Sequence, residues 1–126
     1  MGTRSLTFVY DGGTPIVNMY RQFDGYPEGH GMDLARFLSR LRIVNGLPVG
    51  AKNVANGMGC LAAQMIAHFK DSPGGFYIYS VDSTDCWQEY EYHVYENRVV
   101  VKNPTEVIFE GSWQDFASFC SSEEIS

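Results

Sequence analysis

The sequence predicts an α+β fold, in which an N-terminal hairpin and a C-terminal meander form an antiparallel sheet with about three helices segregated on one face. Two hydrophobic patterns carry this prediction. Short segments rich in β-branched and aromatic residues, separated by turn signals, are typical of strands. Apolar residues that recur at intervals of three and four are typical of helices packed on a core. A chain of 126 residues has the length of one domain.

The N-terminal hairpin is predicted from two apolar segments and the turn between them. Residues 5–10 form the expected first strand, Asp11-Gly12-Gly13-Thr14 the turn, and residues 16–22 the second strand. Arg4 and Arg21 lie near the open end of this hairpin, which leads into the next loop. We therefore expect both cations at the same end of the sheet.

Three segments carry helical signals. The first helix is predicted over residues 32–42, and the second from near Asn56, a candidate N-cap, to near Lys70. The third begins at Ser112-x-x-Asp115, which resembles a capping box. Residues 44–56 are predicted to be a polar, glycine-containing connector between the first two helices. The apolar stripes of the first two helices are Leu34, Phe37, Leu38 and Leu41, and Met58, Leu61, Met65 and Phe69.

The last third of the chain is predicted to be a meander. Asparagine, proline and glycine separate successive apolar segments there, as expected between antiparallel neighbours. The expected strands cover residues 76–81, 87–95, 98–102 and 107–110.

Composition excludes several classes of protein. The net charge of −6 argues against general nucleic-acid binding and against binding to anionic membranes. The sequence has no signal-peptide pattern and no apolar run long enough to span a bilayer. Its three widely spaced cysteines match neither a disulfide framework nor a zinc motif. We therefore expect a cytoplasmic protein that carries no cofactor and no metal.

The glycine-rich segment of residues 24–31, Asp-Gly-Tyr-Pro-Glu-Gly-His-Gly, is the main candidate for a binding site. It leads directly into the first helix, so we expect free backbone N–H groups to point out of this loop. Asn56-Gly57-Met58-Gly59 begins the second helix in a similar way. Helix N-termini attract phosphate and carboxylate groups, although neither segment matches a known nucleotide-binding fingerprint.

Cationic and aromatic side chains add to this hypothesis. Arg4, Arg21 and His30 supply positive charge and hydrogen-bond donors, and Tyr26 supplies a ring for stacking. The candidate ligand-binding residues are therefore Arg4, Arg21, Asp24, Tyr26, Gly29, His30, Gly31, Asn56, Gly57 and Gly59.

Other interpretations of these residues stay open. The glycines fit tight turns alone, with Arg21 paired to Asp24. Cys60, near a helix N-terminus, is a weak candidate nucleophile with His30 as base and Asp24 as orienting group. Asp24, His30 and Glu28 are also a weak candidate metal site. Tyrosines on the predicted strands either pack in the core or present a surface to a partner.

Three segments carry a resemblance to a known family. They are Met-Gly-Thr-Arg-Ser-Leu-Thr at residues 1–7, Tyr-Arg-Gln-Phe followed by the glycine-rich segment at residues 20–31, and Asn-Gly-Met-Gly-Cys-Leu at residues 56–61. The chain resembles a family of small uncharacterised proteins of tailed bacteriophages and bacteria. The resemblance implies a phage or bacterial cytosolic setting and carries no activity.

These observations favour a small non-enzymatic binding protein. Its expected ligand is an anionic small molecule, with nucleotide-derived compounds among the candidates, so that a phage protein could capture a host signal. One alternative is a hydrolase or transferase that uses Cys60, His30 and Asp24. Another is a phage inhibitor that binds a host protein.

Overall fold

The computed structural model describes residues 2–46 and 52–125 and confirms the α+β class. Three helices are present, α1 (Met32–Ser39), α2 (Gly57–Phe69) and α3 (Trp113–Ile125), and a π-helical turn (Pro27–Gly31) precedes α1. In chain order the strands are β1 (Ser5–Asp11), β2 (Thr14–Arg21), β3 (Arg42–Val44), β4 (Val54–Asn56), β5 (Phe76–Tyr79), β6 (Tyr90–Val94), β7 (Val99–Lys102) and β8 (Val107–Gly111).

The main sheet has six strands in the order β5-β2-β1-β6-β7-β8. The hairpin β1-β2 and the run β6-β7-β8 are antiparallel as predicted, but β1 and β6 pair in parallel. The prediction that β5 starts the meander is wrong, because β5 pairs with β2 at the opposite edge of the sheet. A local pattern indicates that a segment is a strand, whereas its pairing partner depends on distant residues.

The connector between α1 and α2 contains two short strands that the sequence analysis missed. α1 ends at Ser39, before the predicted residue 42, and Arg42–Val44 pairs in parallel with Val54–Asn56. Ile43 packs against the core from β3, and β-branched residues favour this extended backbone. Residues 47–51 of the predicted connector lie outside the described part of the chain.

All three helices bury their apolar sides against one face of the main sheet. One hydrophobic cluster contains Leu34 and Leu38 of α1, Met65 of α2 and Phe116 of α3 together with sheet residues such as Tyr92. The smaller cluster on the opposite face contains Leu6, Phe8 and Tyr20, with Tyr10, Tyr79 and Cys86 beside them. No helix that the structure describes is long and apolar enough to cross a membrane.

Local sequence signals predicted the start of α3 correctly and the start of β6 incorrectly. The Ser112 hydroxyl accepts the backbone N–H of Asp115 at 3.0 Å, which confirms the predicted cap. The strand predicted from residue 87 begins only at Tyr90. Trp87 instead takes a positive φ of 62° and leaves 85% of its surface exposed.

We expect Leu38→Ala to cost about 2–5 kcal/mol of unfolding free energy, because Leu38 is fully buried under α1 and its loss leaves a cavity. Ser112→Ala should cost only about 1 kcal/mol, the usual value of one N-cap. Urea denaturation of both variants measures the difference. Equal losses would contradict the assignment of Leu38 to the core.

Candidate functional site

The glycine-rich segment folds inward as a π-helical turn, so its backbone donors are occupied. The N–H groups of Gly29 and Gly31 point to the carbonyl of Tyr26, and that of His30 donates to the carbonyl of Asp24 at 2.7 Å. The N–H of Met32 also donates into the turn. The expectation of free N–H groups at this loop is therefore wrong, because the turn satisfies the donors that a helix start normally leaves unpaired.

Close packing explains the glycines of this segment. A Cβ atom on Gly25 would lie 2.7 Å from the Cβ of Ser5, and one on Gly31 would lie 2.8 Å from the Sγ of Cys120. A Cβ on Gly29 would meet the carbonyl oxygen of Asp24 at 2.5 Å. These positions exclude larger side chains because of intramolecular contacts, as the alternative interpretation of tight turns expects.

His30 lies in the core, where two side chains bind its ring. Arg21 can only donate hydrogen bonds, so Nδ1 of His30 accepts from its Nη1 at 3.2 Å. The other nitrogen, Nε2, then carries the proton and donates to the Thr7 hydroxyl at 2.7 Å. The rings of Phe69 and Tyr92 pack against the imidazole.

Burial also decides the charge of His30. Loss of solvation, together with the neighbouring Arg21 guanidinium, lowers the pKa of His30 to about 3. The imidazole is therefore neutral near pH 7. The expectation that His30 contributes positive charge to an anion site is wrong, since a fully buried ring beside a guanidinium disfavours a second cation.

Arg21 extends from the buried His30 ring to an open surface. Its Nη1 donates to Asp33 at 2.9 Å, and its guanidinium lies over the Phe76 ring, 5.1 Å from the centroid. The side chain is 15% exposed. Its partner is thus Asp33 rather than Asp24, which instead accepts a hydrogen bond from the Tyr26 hydroxyl.

Arg4 and Arg21 lie at the same end of the sheet, as predicted, but on opposite faces. Arg4 donates to the hydroxyl of Tyr20 at 3.1 Å. Tyr20 and Arg21 are consecutive residues of β2, so their side chains point to opposite sides of the sheet. The two arginines therefore cannot hold one small ligand together.

The second glycine segment lies at the far end of α2. Phe69, which contacts His30, ends this helix, whereas Gly57 begins it, about 18 Å away at the usual helical rise. The Asn56 side chain accepts the N–H of Gly46 and makes no capping bond to α2. Gly59 has open space around its Cα. The two predicted helix-start sites are thus separate.

The candidate catalytic group of Cys60, His30 and Asp24 is not assembled. Cys60 donates to the side chain of Gln64 at 3.2 Å, near the start of α2. His30 contacts Phe69 at the opposite end of that helix, and both ring nitrogens of His30 have other partners. The geometry therefore gives no support to a reaction that uses these three residues.

The weak metal hypothesis has no geometric support either. Among the side chains of residues 2–46 and 52–122, no three histidines, cysteines or carboxylates are arranged to hold a metal ion. Glu28 is exposed, whereas both nitrogens of His30 are engaged inside the core.

An open cleft of about 370 Å³ lies beside the exposed edge of Arg21. Three of the chain's six arginines line it, Arg21, Arg36 and Arg40, together with His68 near the end of α2. Asp33 and Asp71 are the carboxylates of the lining, and Phe69 and Phe76 contribute its aromatic walls. Cationic groups thus outnumber carboxylates in a protein whose net charge is −6.

Sequence reasoning found only Arg21 of this cleft. Arg36 and Arg40 are four residues apart at the exposed side of α1, a spacing that places both on one face of a helix. That spacing was the available signal, but surface arginines at helical spacing occur commonly without any site. Only the packing of α1 beside the end of α2 shows that they share a cleft with Arg21.

Comparisons with protein-family models, with curated proteins and with solved structures found no significant match to this chain.

Two glycine substitutions should distinguish the closely packed turn from the open start of α2. We expect Gly31→Ala to cost about 1–3 kcal/mol of stability, because the new methyl group overlaps with the Sγ of Cys120. Gly59→Ala should stabilise by about 0.5–1 kcal/mol, since nothing lies near that position in α2. Thermal or urea unfolding measures both effects.

The double variant Gly31→Ala/Cys120→Ala provides the control. Its total cost should be smaller than the sum of the two single costs, because removing the sulfur relieves the overlap. Additive costs would show that the contact between residues 31 and 120 does not set the requirement for glycine.

The stability of the protein should fall on mild acidification because of His30. Its pKa is about 3 when folded and near 6.5 when unfolded, so the unfolded chain binds an additional proton between these values. From pH 7 to pH 5 the wild type should lose about 2 kcal/mol through this residue. His30→Gln should be less stable at pH 7 and lose correspondingly less. Identical losses in the two proteins would contradict a neutral, buried His30.

Proposed function

We propose that this protein binds a small anionic molecule in the cleft formed by Arg21, Arg36, Arg40 and His68. The observation that carries the proposal is the partly buried guanidinium of Arg21 at the floor of a cation-rich cleft. The sequence predicted an anion site made of backbone N–H groups at the glycine-rich helix starts. The site proposed here uses side-chain donors instead.

The Arg21 side chain is held in position before any ligand arrives. Asp33, His30 and the Phe76 ring each contact it, so little conformational freedom remains to be lost on binding. Its partial burial also weakens competition from water. An arginine fixed in this way can present its remaining N–H groups to the planar or tetrahedral oxygens of a carboxylate or phosphate.

Arg36 and Arg40 supply mobile positive charge at the rim. The Arg36 side chain is 63% exposed and contacts Asp33 only loosely, at 3.6 Å. A ligand anion can therefore draw Arg36 away at small cost, because exposed ion pairs contribute little stability. Arg40 is the C-cap residue of α1 and lies along the same cleft.

The size of the cleft suits a compact phosphorylated molecule. A volume of about 370 Å³ falls at the lower end of the usual range for ligand pockets. Micromolar affinity needs about 8 kcal/mol, more than one exposed charge contact provides. Several arginines acting together, with contact to the aromatic wall of Phe69 and Phe76, are therefore required, and a nucleotide-derived compound offers both kinds of group.

The biological setting in this proposal rests on the sequence resemblance alone. The shared segments indicate a phage or bacterial cytoplasmic protein, in which capture of a host nucleotide signal would be a use for such a cleft. Net negative charge elsewhere on the chain agrees with a ligand that is small rather than a nucleic-acid polymer.

The exposed Trp87 favours a second candidate function, the binding of a host protein. Large exposed aromatic side chains are enriched at protein interfaces, and Trp87 is 85% exposed. A stable complex with a host protein that is lost in Trp87→Ala, and kept in the arginine variants of the cleft, would favour this function.

Phosphate-containing ligands should raise the melting temperature of the wild type. We would screen pyrophosphate, nucleotides and phosphorylated metabolites, since a ligand at 100 times its dissociation constant adds about 2.7 kcal/mol. Arg36→Gln should weaken binding by about 0.5–1 kcal/mol and leave the unliganded melting temperature unchanged, because the Arg36 side chain is exposed. Affinity should also fall with rising salt.

The matched control is Arg42→Gln, the same change at an exposed arginine of β3 outside the cleft. It should bind as the wild type does. Equal weakening in both variants would indicate a general charge effect, and no shift with any anion would reject the proposed site.

A further inference from the structure

A chain of three ionisable side chains crosses the face of the sheet that lies away from the helices. The Glu91 carboxylate lies 2.9 Å from Nε2 of His93, and Nδ1 of His93 lies 2.6 Å from the hydroxyl of Tyr10. The His93 ring is stacked on Phe8, with centroids 4.9 Å apart, which holds its plane in place. None of these residues belongs to the Arg21 cleft.

The carboxylate sets the direction of the hydrogen bonds. An ionised carboxylate only accepts, so Nε2 of His93 donates to Glu91. In the neutral ring Nδ1 is then an acceptor for the Tyr10 O–H. The hydrogen bond from His93 holds the pKa of Glu91 below its usual value, and Gln88 adds a second bond in the same direction. Tyr10, His93 and Glu91 are thus hydrogen-bonded in the order nucleophile, base and orienting carboxylate. This arrangement activates hydroxyl nucleophiles.

Tyr10 lines an open cleft of about 310 Å³ at the end of the hairpin. Its ring is stacked on Tyr95, with centroids 4.3 Å apart, and the Arg98 guanidinium lies over the Tyr95 ring. Asp11 and Glu96 also line the cleft, so its carboxylates outnumber Arg98, which in addition contacts Glu110. This charge disfavours an anionic substrate and favours a neutral or cationic one.

We propose that Tyr10 is a nucleophile that accepts acyl groups from uncharged or cationic activated esters, with His93 as its general base and Glu91 as a positioning residue. This inference concerns a second site and does not depend on anion binding at Arg21.

The acyl transfer balances without any cofactor. The Tyr10 oxygen forms a bond to the carbonyl carbon, and its proton passes to Nδ1 of His93. The bond from that carbon to the leaving oxygen then breaks, and the imidazolium supplies the proton that the leaving group takes up. Water attacks the acyl-tyrosine in the same way, gives a proton to His93, and releases the acid and free Tyr10.

Only an activated ester fits this chemistry. Burial raises the pKa of Tyr10, so the phenol is protonated at neutral pH and loses its proton only as the attack proceeds. The acyl-tyrosine is itself an aryl ester, so transfer to it is favourable from an ester of a more acidic phenol and unfavourable from an ordinary alkyl ester.

The experiment uses 4-nitrophenyl acetate, whose acyl transfer releases a coloured phenol. Full-length protein is treated briefly, digested, and searched for acetyl-tyrosine by mass spectrometry. General-base assistance commonly adds about 10²–10⁴-fold, so Tyr10 should be acetylated at least tenfold faster than Tyr26 or Tyr77. Tyr26, whose hydroxyl donates to Asp24, and Tyr77, which is 44% exposed, serve as internal controls. Equal rates at these tyrosines would overturn the proposal.

Three variants assign the roles. Tyr10→Phe keeps the ring stacking and should abolish the fast phase of nitrophenol release. His93→Gln should reduce it about as much, and its melting temperature shows whether it remains folded. If His93→Gln unfolds, the comparison of acetylation rates among the tyrosines of the wild type still tests the proposal. A fast phase that persists in Tyr10→Phe would overturn the assignment of the nucleophile.

Glu91 needs a measurement that a purely structural role would not change. Glu91 and Tyr10 are the titratable groups that contact the His93 ring nitrogens in the described structure. The positive charge of Lys102 helps to lower the pKa of Glu91. Glu91→Gln should lower the rate constant of Tyr10 acetylation at saturating ester and leave the ester concentration at half-maximal rate unchanged, because Glu91 orients His93 and does not touch the ester. An unchanged rate constant would exclude this positioning role.

The charge preference has its own test. The protein should discriminate against the anionic ester 4-acetoxybenzenesulfonate, relative to 4-nitrophenyl acetate, more strongly than free N-acetyltyrosinamide does. Glu96→Gln should reduce this discrimination, and Glu106→Gln, a change at an exposed glutamate outside the cleft, should not. Absence of discrimination would overturn the substrate class.

Discussion

The two hydrogen bonds of the buried His30 ring are the interaction on which the first half of the structure depends. They join the glycine-rich turn to Thr7 of β1 and to Arg21 of β2, while Phe69 of α2 packs on the same ring. Thr7 and Arg21 must both stay in place to satisfy the two ring nitrogens, because an unpaired polar atom in the core would be costly. The turn, the hairpin and two helices are therefore positioned together.

The position of His30 also creates the Arg21 cleft. With one side of its guanidinium engaged by His30 and Asp33, Arg21 is held where it meets solvent. The π-helical turn sets the start of α1 and so determines where Arg36 and Arg40 project. The glycines of the turn thus act indirectly. Their lack of side chains allows close packing against Ser5 and Cys120, and that packing places the arginines.

The two faces of the main sheet carry histidines with different surroundings. On its helix-covered face, neutral His30 supports a partly buried arginine, and the nearby cleft is rich in positive charge. On the opposite face, His93 lies between a carboxylate and a phenol, and Tyr10 also lines a cleft at the end of the hairpin that has an excess of carboxylates. Both histidines have two hydrogen-bond partners. The difference is that the neighbour of His30 is a cation, whereas that of His93 is an anion.

The sequence by itself determined the fold class, the hairpin, the three helices and the buried stripes of α1 and α2, because these follow from periodicity and turn residues over short distances. It also placed Arg4 and Arg21 at the same end of the sheet. Only the tertiary structure decided that β5 pairs with β2, that Arg4 and Arg21 face opposite sides, and that Cys60 is remote from His30. Pairing partners and the burial of a polar side chain depend on residues far apart in the chain, and local patterns carry no information about which of them meet.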